Sequence, residues 1–179
     1  MLNQNTDRND HLKPAVRTIY FAKLREDAII PTKRDEDVAF DIYPCFDEEF
    51  IVIRPHETVK IPTGIASVCD KSYGFELAER SSVGSIGIAL RCGIIDSGYR
   101  GEWNIVLTNT TDKDFYIAKN MNLGSSLVHP SILYPYEKAI AQAKVIQVPQ
   151  VEVMEITKEQ LNMFASERGD NGFGSTGRH

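Results

Sequence analysis

The hydrophobic positions of this chain fall into short runs rich in β-branched and aromatic residues, and each run is bounded by residues that favour turns. These runs occupy residues 18–22, 50–53, 58–61, 64–68, 103–107, 115–117 and 144–148. Prolines interrupt the pattern at positions 44, 55, 62 and 149. Many short strands with closely spaced turns are typical of a β-sandwich or jelly roll, and not of alternating strands and helices. The pattern therefore predicts an all-β fold.

Several segments differ from this pattern and indicate how the chain is organised. Residues 1–14 are polar and predict a disordered N-terminal arm, whereas residues 15–165 hold the predicted strands of one β-domain. Within that domain, residues 119–136 are rich in Asn, Ser, Gly and Pro and predict a loop insertion. The sequence Thr157-Lys158-Glu159-Gln160 has a capping-box pattern that predicts one short helix. Residues 166–179 predict a flexible C-terminal arm, because they contain too much glycine for a core strand.

Composition and charge narrow the classes of function. A net charge of −5 argues against a broad nucleic-acid-binding face, and an acidic protein that binds a polyphosphate must concentrate cations locally or recruit a divalent metal. The sequence has no apolar run long enough to cross a bilayer and no signal-peptide pattern, which predicts a cytoplasmic protein without a membrane partner. Cys45, Cys69 and Cys92 form no Cys-x-x-Cys pair, and their odd number argues against a disulfide framework. We therefore expect three free thiols.

The C-terminal arm combines glycines with donors for an anion. Its glycines at positions 169, 172, 174 and 177 permit close approach to a ligand, and free N–H groups in such a loop can form an anion-binding nest. Arg168, Ser175 and Thr176 add side-chain donors, and Phe173 adds an aromatic face for a base. These features slightly favour a phosphate-binding arm over a disordered glycine-rich terminus. No Gly-Lys-Ser/Thr sequence is present, so the arm is not a Walker P-loop.

Two further segments carry groups suited to phosphate chemistry. Arg80, Ser81 and Ser82 supply donors for an oxyanion, although a polar turn between strands explains them equally well. Asp96 follows two aliphatic residues and precedes a Ser-Gly turn, which predicts a carboxylate at the mouth of a hairpin that could act as a general base. Tyr99 offers a flat face for a sugar or base. The alternative is a turn-capping Asp followed by a core Tyr.

Two weaker candidates complete the set. Asp37 and Asp41 lie four residues apart, and on an extended strand they would share one side. Solvated turn acids are the alternative. Gln142 interrupts small apolar residues and points either into a site or to solvent.

The order of these five segments resembles the five ordered motifs of the homotrimeric dUTPase family, over residues 18–177. The similarity is greatest in Gly-x-Ile-Asp-x-x-Tyr-Arg-Gly at 93–101 and in Arg-Gly-x-x-Gly-Phe-Gly-Ser-Thr-Gly at 168–177. The resemblance implies a jelly-roll-like β-barrel, and a homotrimer with shared active sites. It also implies hydrolysis of dUTP to dUMP and pyrophosphate with Mg²⁺, which limits uracil incorporation into DNA and supplies dUMP for dTMP synthesis.

The resemblance also implies a role for each matching residue. Asp96 would activate the water that attacks the α-phosphorus, and Tyr99 would lie under the deoxyribose and exclude a ribose. The uracil and sugar would be bound by Gly93, Ile94, Ile95, Tyr99, Asn104 and Phe173. The phosphates would be bound, from neighbouring subunits, by Arg80, Ser81, Ser82, Gln142, Arg168, Gly174, Ser175 and Thr176. Mg²⁺ would be held mainly by the substrate phosphates, with Asp41 and Gln142 acting through water.

The chain departs from the family's pattern at three places. Ala39 replaces a Gly of the first motif, Glu79 replaces the Pro before Arg80, and residues 137–139 replace the usual Gly-Asp-Arg/Lys of the fourth motif. The alternative functions are a dCTP deaminase, a bifunctional deaminase–dUTPase and a dUTPase-like regulatory protein. The catalytic glutamate of the deaminases has no counterpart in residues 104–107. A regulatory protein partner could bind at residues 119–136.

Overall fold

The structure is a computed structural model, and it describes residues 18–122, 130–167 and 169–170. Two compact units divide the chain, one ending at Pro149 and the other beginning at Gln150. The elements are β1 (Tyr20–Lys23), β2 (Ala39–Ile42), β3 (Phe50–Ile53), β4 (Thr58–Pro62), β5 (Ile65–Val68), β6 (Tyr73–Glu79), α1 (Ser81–Gly84), β7 (Ile88–Arg91), β8 (Ile94–Ile95), β9 (Asn104–Asn109), β10 (Asp114–Ala118), β11 (Ser131–Pro135), β12 (Ala141–Gln147) and α2 (Lys158–Asn162).

The strands form four small sheets with the orders β2-β12-β6-β8, β4-β9-β7, β11-β10-β3 and β1-β5. Every pair of adjacent strands is antiparallel except β10 and β11, which run parallel. The prediction of an all-β fold is thereby confirmed.

Alternating burial along the strands explains how the core is filled. In β9 every second side chain points inward, so that Ile105, Leu107 and Asn109 are buried while their neighbours are partly exposed. Just before this strand, the fully buried ring of Trp103 meets Phe75 edge-to-face with the ring centroids 4.7 Å apart, and its indole N–H donates to Ser67 Oγ at 3.2 Å. The long strands β6, β9 and β12 therefore share one apolar interior.

The predicted loop insertion at residues 119–136 is wrong in its C-terminal part. Ser131–Pro135 forms β11, an edge strand in which Ile132 and Tyr134 pack against the core. Prolines 130 and 135 suggested a loop, but Pro135 occupies the last position of an edge strand, where the missing N–H costs no ladder hydrogen bond. Residues 123–129 of the predicted insertion lie outside the described residues.

The predicted short helix is confirmed, but it has a companion that the sequence did not reveal. At α2 the Thr157 hydroxyl accepts the Gln160 N–H at 3.2 Å, and Gln160 Oε1 accepts the Thr157 N–H at 2.8 Å. The prediction of one helix is wrong because Ser81–Gly84 forms α1. A four-residue helix has no repeating apolar face, so its sequence looks like a polar turn.

The boundary of the β unit also differs from the predicted residues 15–165. The unit with the sheets ends at Pro149, and residues 150–165 belong to the second unit, in which every described residue is exposed, including Leu161 and Phe164. The predicted N-terminal arm (1–14) lies outside the described residues, as do residue 168 and residues 171–179 of the C-terminal arm. Neither described helix is long and apolar enough to span a membrane.

Candidate functional site

A polar cleft of about 890 Å³ collects five of the residues to which the sequence resemblance assigns a role. Asp41, Arg80, Ser81, Ser82 and Gln142 all line it. They converge because β12 lies between β2 and β6, so that Gln142 pairs with Asp41 on one side and with Ala78 on the other. Arg80 and the two serines then follow directly from the end of β6.

Arg80 is fixed in the cleft by two partners. Its Nε lies 3.0 Å from Asp41 Oδ1 and its Nη2 lies 3.4 Å from Asp41 Oδ2, while Nη1 donates to the Ala139 carbonyl at 3.1 Å. The Arg80 and Asp41 side chains are only 31% and 37% exposed. A guanidinium carries five N–H donors, so Nη1 and Nη2 keep further N–H groups for a ligand oxygen.

Helix α1 presents both serines to the cleft. The fully buried Val83 anchors the helical turn, whereas Ser81 and Ser82 are exposed. The N–H groups of Val83 and Gly84 donate to the Arg80 carbonyl, at 2.9 and 2.8 Å. Ser82 Oγ lies 3.3 Å from the Tyr134 hydroxyl. The Ser81 and Ser82 amides begin the helix, where N–H groups have no acceptor within the helix itself.

The divergent fourth motif, residues 137–139, is held by hydrogen bonds to the residues around it. The Lys138 N–H donates to the Pro135 carbonyl at 3.1 Å and closes a turn, and the buried Ala139 accepts hydrogen bonds at its carbonyl from Arg80 and from the Tyr134 hydroxyl. After this turn, Gln142 Nε2 donates to the Glu79 carbonyl at 2.7 Å. That bond fixes the amide and leaves its Oε1 as an acceptor in the cleft.

The loop before β2 and strand β12 add basic residues to the cleft that were not predicted from the sequence. Lys33, Arg34 and Lys144 line the cleft, and the first two belong to the charged run 33–37, which looks like a solvated turn. Arg34 contacts both carboxylate oxygens of Asp37 at 2.9 Å, and this hydrogen bonding lowers the pKa of Asp37. The expectation that Asp37 and Asp41 share one strand is wrong, since β2 begins at Ala39, yet both line the cleft.

A second group of predicted residues surrounds the turn after β8. The Tyr99 N–H donates to the Asp96 carbonyl at 3.1 Å, and Asp96 is exposed. The Tyr99 hydroxyl donates to the Glu102 carbonyl at 3.0 Å, which also accepts the Asn104 side-chain amide at 2.9 Å. The Tyr99 ring folds over Gly101, where an added Cβ would lie 2.6 Å from the ring's Cζ. The turn therefore presents the Asp96 carboxylate and the Tyr99 ring at one surface.

The segment that carries Asp96 is not a hairpin, contrary to the sequence prediction. β8 pairs with β6, and β9 pairs with β4 and β7, so the two flanking strands belong to different sheets. Gly93 lies so close to β6 that its carbonyl accepts the Leu77 N–H at 2.6 Å. Ile95 is buried by this pairing, whereas Ile94 is 63% exposed.

Within one chain the two groups lie apart along β6. Ile95 pairs with Phe75, whereas Arg80 follows the opposite end of β6, five residues farther on. At a rise of about 3.3 Å per residue this separates them by on the order of 16 Å. The described residues thus form a polar cleft, which contains Arg80 and two serines, and a separate turn, which carries the Asp96 carboxylate.

The cleft suits a metal ion that is bound mainly by a ligand. No group of three or more His, Cys, Asp or Glu residues capable of holding a metal occurs in the described part of the chain. Asp41 and the free Oε1 of Gln142 are nevertheless hard oxygen donors. Mg²⁺ in proteins is commonly bound by one or two oxygen donors of side chains, together with phosphate oxygens of the ligand and several waters. The predicted C-terminal contributors Arg168, Phe173, Gly174, Ser175 and Thr176 lie outside the described residues.

Comparison with known proteins gives a consistent result. The family profile of dUTPase matches residues 25–130. The deoxyuridine 5'-triphosphate nucleotidohydrolase of Hydrogenobaculum sp. is 35% identical over 87% of this chain and 94% of its own length, and that of Neisseria meningitidis is 34% identical over 78% and 81%.

Solved structures with similar folds include two bacteriophage dUTPases. The dUTPase of Staphylococcus bacteriophage 80alpha, a mutant solved with dUpNHpp, superposes with a TM-score of 0.68 at 22% identity, over 91% of this chain and 100% of that one. A mutant dUTPase from phage phi11 of S. aureus, whose structure describes a structural Mg(II) ion, gives 0.62 at 24% identity, over 78% and 96%. At these identities the superpositions establish a shared fold.

Proposed function

The chain belongs to the dUTPase family, and from that premise we propose that it hydrolyses dUTP to dUMP and pyrophosphate. The observation that carries this proposal is the convergence of Asp41, Arg80, Ser81, Ser82 and Gln142 in one polar cleft. Such an enzyme limits uracil incorporation into DNA and supplies dUMP for dTMP synthesis.

The phosphate chain is bound by donors of the cleft. Arg80 offers N–H groups beyond those used for Asp41 and Ala139, and its fixed orientation reduces the entropy lost on binding. Ser81 and Ser82 offer hydroxyl groups and the first N–H groups of α1. The arm residues Arg168, Gly174, Ser175 and Thr176 supply further phosphate donors, and Phe173 stacks on the uracil.

Asp41 and Gln142 are the residues that would hold a metal ion through water. The Asp41 carboxylate and Gln142 Oε1 would serve as hydrogen-bond acceptors for a hydrated Mg²⁺ that enters with the substrate phosphates. When bound with the substrate, Mg²⁺ supplies positive charge that offsets the phosphate oxygens. This answers the difficulty of binding a triphosphate to a chain with a net charge of −5.

Asp96 is the general base. Its carboxylate accepts a proton from a water, the water oxygen bonds to the α-phosphorus, and the bond from that phosphorus to the bridging oxygen breaks to release pyrophosphate. The exposed carboxylate makes no side-chain hydrogen bond or ion pair with the described residues, which supports this role because both oxygens remain able to accept.

Tyr99 and its neighbours recognise the deoxynucleoside. The ring is held over Gly101 by the bond from its hydroxyl to Glu102, so a ribose 2′-hydroxyl would meet a fixed surface. Backbone groups of Gly93, Ile94 and Ile95, with Asn104, read the uracil edge. Because the Gly93 carbonyl already accepts the Leu77 N–H, the exposed Ile94 is the better placed of the three.

Each site is shared between copies of the chain in a homotrimer. The separation of Asp96 from Arg80 within one chain supports this proposal, because a base and a phosphate-binding arginine must contact the same substrate. A second copy would bring its own cleft to the Asp96 turn of the first.

The test is a pyrophosphate-release assay of the purified protein with dUTP, dCTP, dTTP and UTP, each with and without Mg²⁺. We expect rapid release from dUTP with Mg²⁺, and far slower release from the other nucleotides and from dUTP without the metal. Ammonia release from dCTP would identify a deaminase instead. No release from any nucleotide would leave the dUTPase-like regulatory protein as the better explanation.

A further inference from the structure

Tyr134 places a buried hydroxyl group next to the donors that the proposed function assigns to phosphate. The residue is only 6% exposed, and its ring packs against the fully buried ring of Phe115 with the centroids 5.9 Å apart. It stands on the edge strand β11, where it pairs with Ile117 of β10. Because the ring is held on both the strand and the core, the hydroxyl oxygen has a fixed position.

This hydroxyl contacts two groups at the wall of the cleft. It donates to the Ala139 carbonyl at 2.7 Å, and its oxygen lies 3.3 Å from Ser82 Oγ. The shorter distance assigns the Tyr134 hydrogen to the Ala139 carbonyl. In this arrangement the Ser82 hydroxyl is therefore the donor to the Tyr134 oxygen, and its one hydrogen points away from the cleft.

The Ala139 carbonyl does not depend on Tyr134 for its hydrogen bonding. It also accepts Arg80 Nη1 at 3.1 Å, and a carbonyl oxygen has lone pairs for both donors. If the Tyr134 hydrogen turns towards Ser82, the carbonyl keeps Arg80 as its donor. The turn therefore leaves no buried acceptor without a partner, which would otherwise oppose it.

Ser82 needs such a donor when it binds a phosphate oxygen. A serine hydroxyl has one hydrogen, so donating it to phosphate ends the bond from Ser82 to Tyr134. The two hydroxyl oxygens would then face each other with no hydrogen between them. Tyr134 can supply that hydrogen by turning it from Ala139 to Ser82. In the resulting chain from Tyr134 to Ser82 to phosphate, each hydrogen bond strengthens the next.

We infer that Tyr134 is a positioning residue, which orients the Ser82 hydroxyl as a donor to the polyphosphate chain of the nucleotide. The inference rests on the proposed function. It adds a residue of β11, which lies outside the segments that resemble the family motifs. Tyr134 itself does not line the cleft and acts through Ser82.

Tyr134→Phe tests this role, because it removes the hydroxyl and keeps the ring that packs on Phe115. Calorimetric titration of the full-length variant with Mg²⁺–dUpNHpp should give a Kd about fivefold higher, since one hydrogen bond contributes about this factor to an affinity. The KM for dUTP should rise by a similar factor. The kcat should stay near that of the unaltered protein, because the lost contact binds substrate and transition state alike.

A double-mutant cycle identifies the group through which Tyr134 acts. Ser82→Ala removes the hydroxyl that Tyr134 is inferred to orient. Adding Tyr134→Phe to Ser82→Ala should therefore raise the Kd by less than about twofold, although the same change costs about fivefold when Ser82 is present. All titrations are made at a temperature where every variant is folded.

Tyr116→Phe is the matched control. It removes a tyrosine hydroxyl from the neighbouring strand β10, where the ring packs against Phe50 with the centroids 5.4 Å apart. Tyr116 does not belong to the cleft lining. This variant should bind Mg²⁺–dUpNHpp and hydrolyse dUTP like the unaltered protein.

Two outcomes would overturn the inference. A lower Tm of Tyr134→Phe with an unchanged Kd would mean that the hydroxyl only stabilises the fold. An equal loss of affinity with and without the Ser82 hydroxyl would mean that Tyr134 does not act through Ser82. Failure of the proposed function is distinct, because the unaltered protein itself would then release no pyrophosphate from dUTP.

Discussion

Gly101 is a glycine because of the Tyr99 ring that lies over it. A Cβ at position 101 would come within 2.6 Å of the Tyr99 Cζ, whereas a Cβ at Gly98, in the same turn, would meet nothing within 4 Å. The absence of a side chain at 101 thus lets the ring lie flat and its hydroxyl reach Glu102. The orientation of the proposed sugar-binding surface depends on this one position.

Gly101→Ala should therefore displace the Tyr99 ring and impair dUTP hydrolysis. We expect kcat/KM for dUTP to fall about ten- to a hundredfold, since a small misplacement of a positioning group has effects of this size. Discrimination against UTP should weaken in the same variant. Gly98→Ala is the matched control and should behave like the unaltered protein, and equal kinetics of the two variants would refute the proposed role of the ring.

The three cysteines differ in burial, and we therefore expect them to differ in reactivity. Cys45 is fully buried, and burial raises the pKa of its thiol, as does its hydrogen bond to Asp27 Oδ1 at 3.3 Å. A raised pKa leaves less of the reactive thiolate at any given pH. Cys92 is exposed.

Iodoacetamide at pH 8 should accordingly label Cys92 first and spare Cys45 until the protein unfolds. Peptide mass spectrometry after timed quenching measures the order, and urea-unfolded protein gives the reference rate for each thiol. Labelling of native Cys45 as fast as Cys92 would contradict the burial described above.

At the scale of elements, Glu79 joins the end of β6 to its neighbours. Its carboxylate accepts the Leu90 N–H of β7 at 3.0 Å, and its carbonyl accepts the Gln142 side chain at 2.7 Å. Its Cβ would also lie 3.4 Å from a Cβ at Gly84, the last residue of α1. Glu79, directly before Arg80, therefore links the end of β6 to β7 and to Gln142.

Glu79→Ala should loosen α1 and Arg80. We expect a loss of about 1 kcal/mol in the free energy of unfolding for the lost hydrogen bond, and a rise in the KM for dUTP. Glu79→Gln keeps an acceptor oxygen and should remain close to the unaltered protein in both Tm and KM. If the Gln variant lost as much as the Ala variant, the charge of Glu79 and not its hydrogen bond would be the cause.

Local signals made some elements predictable and left others hidden. The capping box of α2 and the alternating pattern of β9 depend on neighbouring residues, so the sequence contains them in full. β11 and α1 are short elements whose prolines or serines look like turns, and tertiary packing of Tyr134 and Val83 decides their conformation. Strand pairing is also nonlocal, which is why the predicted hairpin at Asp96 proved to join two sheets.

The candidate site shows the same division. Arg80, Asp41 and Gln142 could be named from the order of the motifs, and the register of β2, β12 and β6 then brings them together. Lys33 could not be named, because a charged run is usually a solvated turn and its position beside the cleft depends on the bridge from Thr32 to Asp41. The long-range pairing of strands, which the sequence pattern does not contain, decides which residues line the cleft.

At the scale of the whole molecule, the distance between Asp96 and Arg80 sets a requirement on assembly. Arg80 directly follows β6 and Asp96 directly follows β8, and the pairing of Ile95 with Phe75 keeps the backbones of the two residues on the order of 16 Å or more apart. The proposed site, which uses both around one α-phosphate, would therefore take them from different copies of the chain. The proposed trimer meets this requirement, since a closed ring of identical chains repeats one heterologous contact three times.

Subunit mixing tests this arrangement directly. Asp96→Asn should bind nucleotide but lose most turnover, and Arg80→Ala should lose phosphate binding, so each variant alone is nearly inactive. When the two are unfolded together and refolded as mixed trimers, about a quarter of the sites regain one intact cleft and one intact Asp96, because each site draws the two groups from independently chosen chains. Pyrophosphate release from dUTP should then rise well above that of either parent, while separately refolded parents mixed afterwards without exchange give no gain. Light scattering must find the same oligomer in all samples.

Mixed trimers as inactive as their parents would mean that Asp96 and Arg80 act from one chain, and that the turn at 96–99 moves towards the cleft when substrate binds.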